Sequence, residues 1–373
     1  MKKFIPFLFS MLVLAACTGE SSDKKSADEG GEEKTAKNTS FLPEAAGEYG
    51  EVVIVMNKDQ WSGEVGVALK EVFHASVPGL LRNEPYFVTR IIDPFQFNKL
   101  LKTAKNLVYV TTLNGNQPAD KWLQNTFSDA SKERIRSNPA MFMNTSDDQY
   151  AKGQKVLQLF GKDQKTLIAH LNKPENQEKI RNYFNIAERQ RLANELGMSS
   201  ATRNIVAGLK EKFGYTIKIP GSYELAMSEE DFMWARYLPA TGASKNLFVY
   251  FKDYTSEEEF EKAKIIGLRN EIGKKYIFGD PENPESFMTT EETYVPIASR
   301  TINFNENYTV ETKGAWKTNN NSIGGSFVSY TFVDEESKRL YYIEGFVIHP
   351  NEEHREAIRQ LEALLSTFRT ASV

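Results

Sequence analysis

The stretch that decides the fold is Glu51-Val-Val-Ile-Val-Met56, an apolar run with the length of one β-strand. A strand that is apolar on both faces is typical of a sheet covered by helices on both sides. Apolar runs at residues 86–92 and 107–113 predict two more strands. Helical spacing follows Ser62 or Gly63 and again follows Asp93-Pro94, which is a strong helix start. The order strand, helix, strand, helix, strand predicts an α/β lobe.

The next segment extends this lobe. Residues 155–160 read as a fourth strand. Ile180, Phe184 and Ala187 recur at the spacing of one helical face, so we expect a long helix there that ends near residue 196. The charged residues of the same helix (Glu188, Arg189 and Arg191) are expected on the opposite, solvated side.

A second lobe begins near residue 200. Tyr215, Ile217 and Ile219 alternate with polar residues, as in a strand with one wet face. Residues 326–333 and 339–347 predict an antiparallel hairpin, and a helix follows it. The predicted fold class is α/β with α+β character: two α/β lobes with mixed sheets flanked by helices, linked by a helical segment. The N-terminal lobe is expected at residues 41–200, and the C-terminal lobe at 201–373.

Composition excludes several classes of protein. The 373 residues contain 46 Lys+Arg and 50 Asp+Glu, a balance that argues against nucleic acid as a partner. The hydrophobic fraction of 40% is too high for a disordered chain. The single cysteine excludes an intramolecular disulfide and a cysteine-based zinc site. Fold stability must therefore come from burial of apolar surface.

The N-terminus has the pattern of a secretion signal. Lys2 and Lys3 precede an apolar stretch that is too short to span a bilayer, and Leu14-Ala-Ala-Cys17 closes it. This tetrapeptide resembles the bacterial lipobox, in which cleavage before the cysteine leaves a thiol that is then lipidated. We therefore expect a signal peptide at residues 1–16 and lipid attachment at Cys17. An ordinary secretory signal with a chance cysteine is the alternative.

Residues 17–40 are expected to form a lipidated flexible tether. The stretch after the cysteine contains no aromatic and no β-branched aliphatic residue, so it cannot bury enough surface to order itself. Loss of the two lysines in residues 1–16 takes the formal charge from −4 to −6. Two or more acyl chains, palmitate among them, would anchor the chain durably to the lipid bilayer. The predicted location is the bacterial outer membrane, with the periplasmic face and the cell surface both left open.

Several motifs together resemble a known family. They are the opening strand with Trp61-Ser-Gly63, Pro78-Gly-Leu-Leu-Arg-Asn-Glu-Pro85, Gly314-Ala-Trp316, Gly324-Gly-Ser-Phe327 and Gly345-Phe-Val-Ile-His-Pro350. With the lipobox, this combination is similar to the lipoproteins catalogued as domain of unknown function 4837, over nearly the whole mature chain. The resemblance implies a cellular location and a fold architecture, and it implies no catalysed reaction.

A search of the sequence for catalytic chemistry is negative. Its four histidines do not have metalloprotease spacing, and we expect His349 and His354 to be surface residues beside a helix start. The nucleophile elbow, the Walker phosphate loop and the dinucleotide-binding turn are all missing from the sequence. No catalytic residue, metal ligand or cofactor is therefore predicted, although paired carboxylates of a hydrolase cannot be recognised from sequence.

Two loops are the candidate binding surfaces. The first holds Trp316, Asn320, Gly324 and Gly325, where asparagine and glycine tolerate positive φ. Its alternative is a plain hairpin connection with the tryptophan in the core. The second holds Arg82 and Glu84 ahead of Pro85, with a rigid proline turn as the alternative.

Two functions remain after this search. The first is a membrane-anchored envelope lipoprotein that acts as a non-catalytic binding or assembly module, with an envelope protein or a glycan as its partner. The alternative is a hydrolase of glycans or peptidoglycan that uses Asp/Glu pairs. The missing catalytic signatures favour the first, so we expect a protein that is not an enzyme.

Overall fold

The computed structural model describes residues 41–280, 283–349 and 352–370. The predicted signal peptide, Cys17 and the tether lie outside the described residues and remain predictions. Among the residues described, no helix has both the length and the apolar character needed to cross a membrane.

The first sheet forms where the apolar runs predicted it. Its strands are β1 (Glu51–Val55), β2 (Val88–Ile92), β3 (Asn106–Thr112), β4 (Met143–Asp147) and β5 (Lys155–Gly161). The order is β2-β1-β3-β5-β4, with parallel pairing throughout except for β4, which lies antiparallel at one edge. All seven residues of β3 are buried, because helices cover both faces of a parallel sheet.

Six helices accompany this sheet among the described residues. They are α1 (Lys58–Ser62), α2 (Glu64–Phe73), α3 (Pro118–Gln124), α4 (Asp129–Ser137), α5 (Gln164–Leu171) and α6 (Pro174–Glu195). The helix expected after Asp93-Pro94 is wrong, because that segment forms two short 3-10 turns instead. Phe95 is 67% exposed and Leu100 is 77% exposed, so the segment lacks a continuous apolar stripe that could pack as a helix.

The second sheet is larger and antiparallel. Its strands are β7 (Glu224–Ser228), β8 (Phe232–Tyr237), β9 (Ser244–Asp253), β10 (Phe278–Asp280), β11 (Asn283–Glu291), β12 (Ala298–Phe304), β13 (Asn307–Thr318), β14 (Gly324–Asp334) and β15 (Arg339–Ile348). The order is β10-β11-β13-β14-β15-β9-β8-β7, and β12 pairs with β13 beside that path. The predicted hairpin is confirmed as β14 and β15.

The remaining elements cover this sheet. They are α7 (Ser200–Phe213), α8 (Lys262–Tyr276), α9 (Arg355–Leu365), and the small pair β6 (Tyr215–Thr216) and β16 (Arg369–Thr370). Gly214 ends α7 with φ of 76°, the left-handed conformation that glycine adopts without strain. One core lies between the sheet and α7 with α9, and a second lies between the sheet and α8.

The observed class is α/β mixed, as predicted from the sequence, while the division into lobes at residue 200 remains a prediction. Helix α6, of 22 residues, places one polar side next to β12, β13 and α9. This arrangement creates the cleft described below.

Candidate functional site

A cleft lies between α6 on one side and β12, β13 and α9 on the other. It has an inner chamber of about 250 Å³ and an outer chamber of about 860 Å³. Both chambers are lined by the same four residues, Glu178, Asn182, Arg189 and Arg300, so they form one continuous cleft.

The cleft is basic although the chain carries a formal charge of −4. Six cationic side chains line the inner chamber: Arg181, Arg189, Arg300, Lys313, Arg355 and Arg359. The outer chamber adds Lys218 and Arg369. Only three carboxylates line the two chambers: Glu178, Glu311 and Glu362. This local excess of positive charge favours an anionic ligand.

Helical spacing explains why α6 forms one wall. Its apolar residues, among them Ile180 and Phe184, are buried against the first sheet, in a core shared with α2 and α5. Asn182, Asn185 and Arg189 follow one another at intervals of three and four residues, which places them together on another face of the helix. The sequence-based placement of Glu188 on the solvated side is wrong. Its carboxylate is fully buried and accepts hydrogen bonds from Gly50 N, Asn106 Nδ2 and Arg191 Nη1.

Ion pairs fix most of the cations. Arg300 Nε lies 2.7 Å from Glu311 Oε1, and its Nη1 lies 2.9 Å from Glu178 Oε1. Arg300 therefore joins β12, β13 and α6. Lys313 Nζ contacts Glu362 Oε1 and lies 3.9 Å from Glu311 Oε1.

Lys313 and Glu362 are both charged at neutral pH. Burial lowers the pKa of Lys313, but Glu311 and Glu362 raise it by more, so the net pKa lies above its ordinary value. Burial raises the pKa of the Glu362 carboxyl, but Lys313 and Arg189 lower it by more, and the net pKa is depressed. A carboxyl with a depressed pKa is a poor proton donor.

Helix α9, which forms the floor of the inner chamber, is hydrogen-bonded to the segment before β2. Arg355 Nη1 donates to Pro85 O at 3.0 Å, and Arg359 Nη2 donates to Tyr86 O at 2.7 Å. Both arginines also contact Glu356. These two guanidinium groups therefore have structural partners.

Arg189 is different. Its guanidinium lines both chambers and is half-buried, and it makes no ion pair within 4.0 Å with any carboxylate that the structure describes, although the Tyr330 hydroxyl lies beside it. Each of the other seven cations has a carboxylate or carbonyl partner, including the outer residues Lys218 and Arg369. Burial lowers the pKa of Arg189, but Tyr330, Glu362 and Glu311 raise it by more, so it stays protonated.

A buried oxygen atom near Arg189, Glu311 Oε2, has no hydrogen-bond partner among the described residues. The Glu311 residue is 3% exposed and lines the inner chamber. Buried polar atoms are nearly always paired, so such atoms need an explanation such as an unseen partner.

The first predicted binding loop lies elsewhere. Trp316 is 2% exposed, and its Nε1 donates to Val347 O at 3.1 Å. Gly324 and Gly325 permit close strand approach, because a Cβ on Gly325 would lie 1.8 Å from Val347 O. Asn320 is exposed and accepts a hydrogen bond from Ser286 Oγ at 3.2 Å. None of these four residues lines the cleft.

The second predicted loop has a clear structural partner. Arg82 is exposed, whereas Glu84 is 2% exposed. The Glu84 carboxylate accepts from the backbone N–H groups of His354 and Arg355, at 2.8 and 2.6 Å. It therefore caps the N-terminus of α9, where free N–H groups favour a negative charge.

The expectation of a surface His354 is wrong. His354 is 2% exposed, with Nδ1 3.0 Å from Ser326 Oγ and Nε2 2.9 Å from His349 O. Ser326 is fully buried, so this pair cannot reach a substrate. In the described part of the chain, no group of three or more His, Cys, Asp or Glu side chains could hold a metal ion.

Comparisons with known proteins give families without an assigned activity. No curated protein matches the chain. A crystal structure from Bacteroides thetaiotaomicron is similar over 43% of this chain and 46% of its own, at 8% identity and a TM-score of 0.25. A mutant of the protein Mog1 is similar over 43% of this chain and 92% of its own, at 8% identity and a TM-score of 0.29. Neither likeness bears on function.

Two family models match in succession. Residues 45–197 match the family described as domain of unknown function (DUF8532). Residues 202–367 match the family described as domain of unknown function (DUF4837), so the resemblance predicted from the motifs is confirmed there. Trp61-Ser-Gly63 and Pro78–Pro85 lie within the first match. The C-terminal part of the chain thus matches the DUF4837 model, and the part before it matches the DUF8532 model.

Proposed function

We propose that this protein is a lipid-anchored lipoprotein of the bacterial envelope, and that it acts as a binding module whose cleft takes an anionic group of its ligand. The lipobox pattern that ends at Cys17 supports the anchor. The basic cleft supports the binding role.

Arg189 is the observation that carries the binding proposal. A half-buried guanidinium without an ion pair is unfavourable unless something compensates its charge. Guanidinium groups bind carboxylates and phosphates through two parallel hydrogen bonds. A carboxylate or phosphate group in the cleft would supply the missing partner.

The alternative, a carboxylate-dependent hydrolase, has less support in the same cleft. Glu311 and Glu362 both lie in the inner chamber, yet both contact Lys313. A glycoside hydrolase needs one carboxyl with a raised pKa as its general acid. The pKa of Glu362 is depressed instead. If Glu311→Gln abolished a measured turnover of peptidoglycan fragments, the non-catalytic proposal would be wrong.

Titration calorimetry tests the binding proposal. The full chain in detergent would be titrated with citrate, and the same titration would follow for Arg189→Gln. We expect citrate binding to weaken at least tenfold in this variant and to weaken with added salt. Arg203→Gln is the matched control, because Arg203 is exposed and binds Met198 O away from the cleft. Equal citrate affinity in both variants would contradict the proposal.

Labelling with palmitate tests the anchor. Replacement of Cys17 by serine removes the only thiol in the chain. We expect this variant to take up no labelled palmitate, and its leader to stay uncleaved. A serine variant that is processed and labelled like the wild type would contradict lipid anchoring.

A further inference from the structure

Strand β12 lines the cleft with an open edge. Among the residues that the structure describes, it pairs with β13 alone, and its residues form part of both chambers, 298–300 in the inner one and 300–304 in the outer one. An edge strand presents a row of free backbone N–H and C=O groups, which is a template for pairing with another strand.

The register of the β12–β13 hairpin shows which backbone N–H and C=O groups of β12 are free. Phe304 pairs with Asn307 across a two-residue loop, Asn305-Glu306, in which φ is 51° and 71°. Residues that flank such a loop bond to each other, and bonding then alternates along the pair. The N–H and C=O groups of residues 299, 301 and 303 therefore point away from β13. All three residues are exposed.

The opposite wall of the cleft matches β12 in length. Seven residues of β12 span about 24 Å at about 3.4 Å each. The cleft-lining part of α6, from Glu178 to Asn194, spans about 24 Å at about 1.5 Å per residue. The two walls are thus equally long, and Arg189 lies on α6 between the chambers.

We propose that the ligand is an extended acidic peptide segment of a partner protein, which adds to the β12 edge as a further strand and places a carboxylate on Arg189. This inference rests on the proposed binding function, and it specifies the ligand class. Backbone hydrogen bonds of an added strand give affinity, and side-chain contacts give specificity. The excess of cations in the cleft selects acidic side chains over neutral ones.

A peptide explains the site better than an acidic glycan does. The free groups of β12 repeat every second residue, at about 6.8 Å, which is the repeat of another β-strand. Sugar hydroxyls have no such fixed alternation of one donor and one acceptor. An acidic glycan is the competing ligand that the test must separate.

The test on the protein substitutes one residue of the β12 edge. Thr301→Pro removes an outward N–H and leaves the bonds to β13, because an edge strand tolerates proline on its free side. Thr301→Ala is the matched control and keeps the N–H. The probe is a seven-residue peptide of alternating valine and glutamate, acetylated and amidated. We expect Thr301→Pro to bind this peptide at least tenfold more weakly than Thr301→Ala, with equal unfolding midpoints.

The test on the peptide does not depend on any variant's folding. Two further probes carry N-methyl groups, one on every glutamate and the other on every valine. Only alternate residues of an added strand donate to β12, so we expect one methylated peptide to lose binding at least tenfold and the other to keep it. The glutamine version of the peptide should bind weakly.

The outcomes separate this inference from the proposed function. If both methylated peptides bind like the parent, or Thr301→Pro binds like Thr301→Ala, strand addition is wrong while anion binding stands. Binding of a galacturonate heptamer that depends on Arg189, without peptide binding, also overturns the inference and leaves the proposed function intact. If no acidic probe depends on Arg189, both fail.

Discussion

Glu84 caps helix α9 by accepting a hydrogen bond from the backbone N–H of His354, which lies 270 residues further along the chain. The same carboxylate accepts from the next N–H, that of Arg355. Hydrogen bonds to a charged acceptor are stronger than those between neutral groups. This contact ties the segment before β2 to the last helix, and α9 forms the floor of the inner chamber.

The first prediction concerns this cap. Glu84→Ala should lower the free energy of unfolding by about 2 kcal/mol, because two buried N–H groups lose their acceptor. Urea denaturation followed by circular dichroism measures the change. Arg82→Ala serves as the control, because Arg82 is exposed and should change stability by less than about 0.5 kcal/mol. An equal effect of the two substitutions would argue against the cap.

A second prediction concerns a buried ion pair behind the large sheet. Arg269 and Glu344 are 1% and 0% exposed, and they form two parallel hydrogen bonds of 2.9 and 2.8 Å. Arg269→Met should lower the free energy of unfolding by about 3–5 kcal/mol, because it leaves the carboxylate buried without a counter-charge, with only the Tyr342 hydroxyl still donating to it. Arg269→Met with Glu344→Leu should recover most of this loss. A double variant as unstable as the single one would contradict this account.

The third prediction is a pH dependence at Glu291. The Lys317 ammonium and the N–H groups of Thr293 and Tyr294 lower the pKa of this carboxyl to about 2, from an unfolded value of about 4.3. Its stabilising contribution is therefore complete above about pH 4.3 and lost as the pH falls towards 2. Glu291→Gln should be less stable than the wild type at pH 6, with a difference that shrinks by pH 2.5. A difference independent of pH would contradict the assigned pKa.

The fourth prediction concerns access to Arg300. Glu178 pairs with it across the cleft, and both side chains are about half exposed, at 54% and 45%. An exposed pair of this kind contributes less than about 1 kcal/mol to stability. Glu178→Gln should therefore leave the unfolding midpoint nearly unchanged and raise the citrate affinity about two- to fivefold.

Calorimetry measures this gain in affinity. Glu175→Gln is its control, because Glu175 is exposed on α6 and does not line the cleft. A fall in affinity after Glu178→Gln would show that the anion does not approach Arg300.

Local sequence pattern predicted the central strands well, because an unbroken apolar run such as 51–56 has few other solutions. It assigned no element to residues 279–300, where β11 forms and β12 begins. The exposed edge strand β12 carries mostly polar side chains, so neither an apolar run nor a strict alternation marks it.

The cleft could not be predicted from local sequence pattern, for a different reason. The asparagines and Arg189 of α6 follow a helical face that could be recognised in the sequence, but nothing local says that a second protein surface faces it. Glu188 shows the same limit: its position in the helix predicts a surface charge, yet it accepts hydrogen bonds from Gly50 and Asn106, which are distant in sequence, as well as from Arg191. The sequence pattern marks Trp316 and Glu84 as candidate binding residues in loops. Their structural roles depend on Val347 and His354, which belong to other elements.

The bonds from Glu84, Pro85 and Tyr86 to α9 have a consequence for the family boundaries. Residues 202–367, produced alone, would contain Arg355 and Arg359 but none of the three acceptors that hold them and the start of their helix. A fragment cut at the family boundary would therefore have a frayed N-terminus of α9, and the guanidinium groups of Arg355 and Arg359 would be open to water. The smallest unit worth expressing is therefore the tandem of both matched segments.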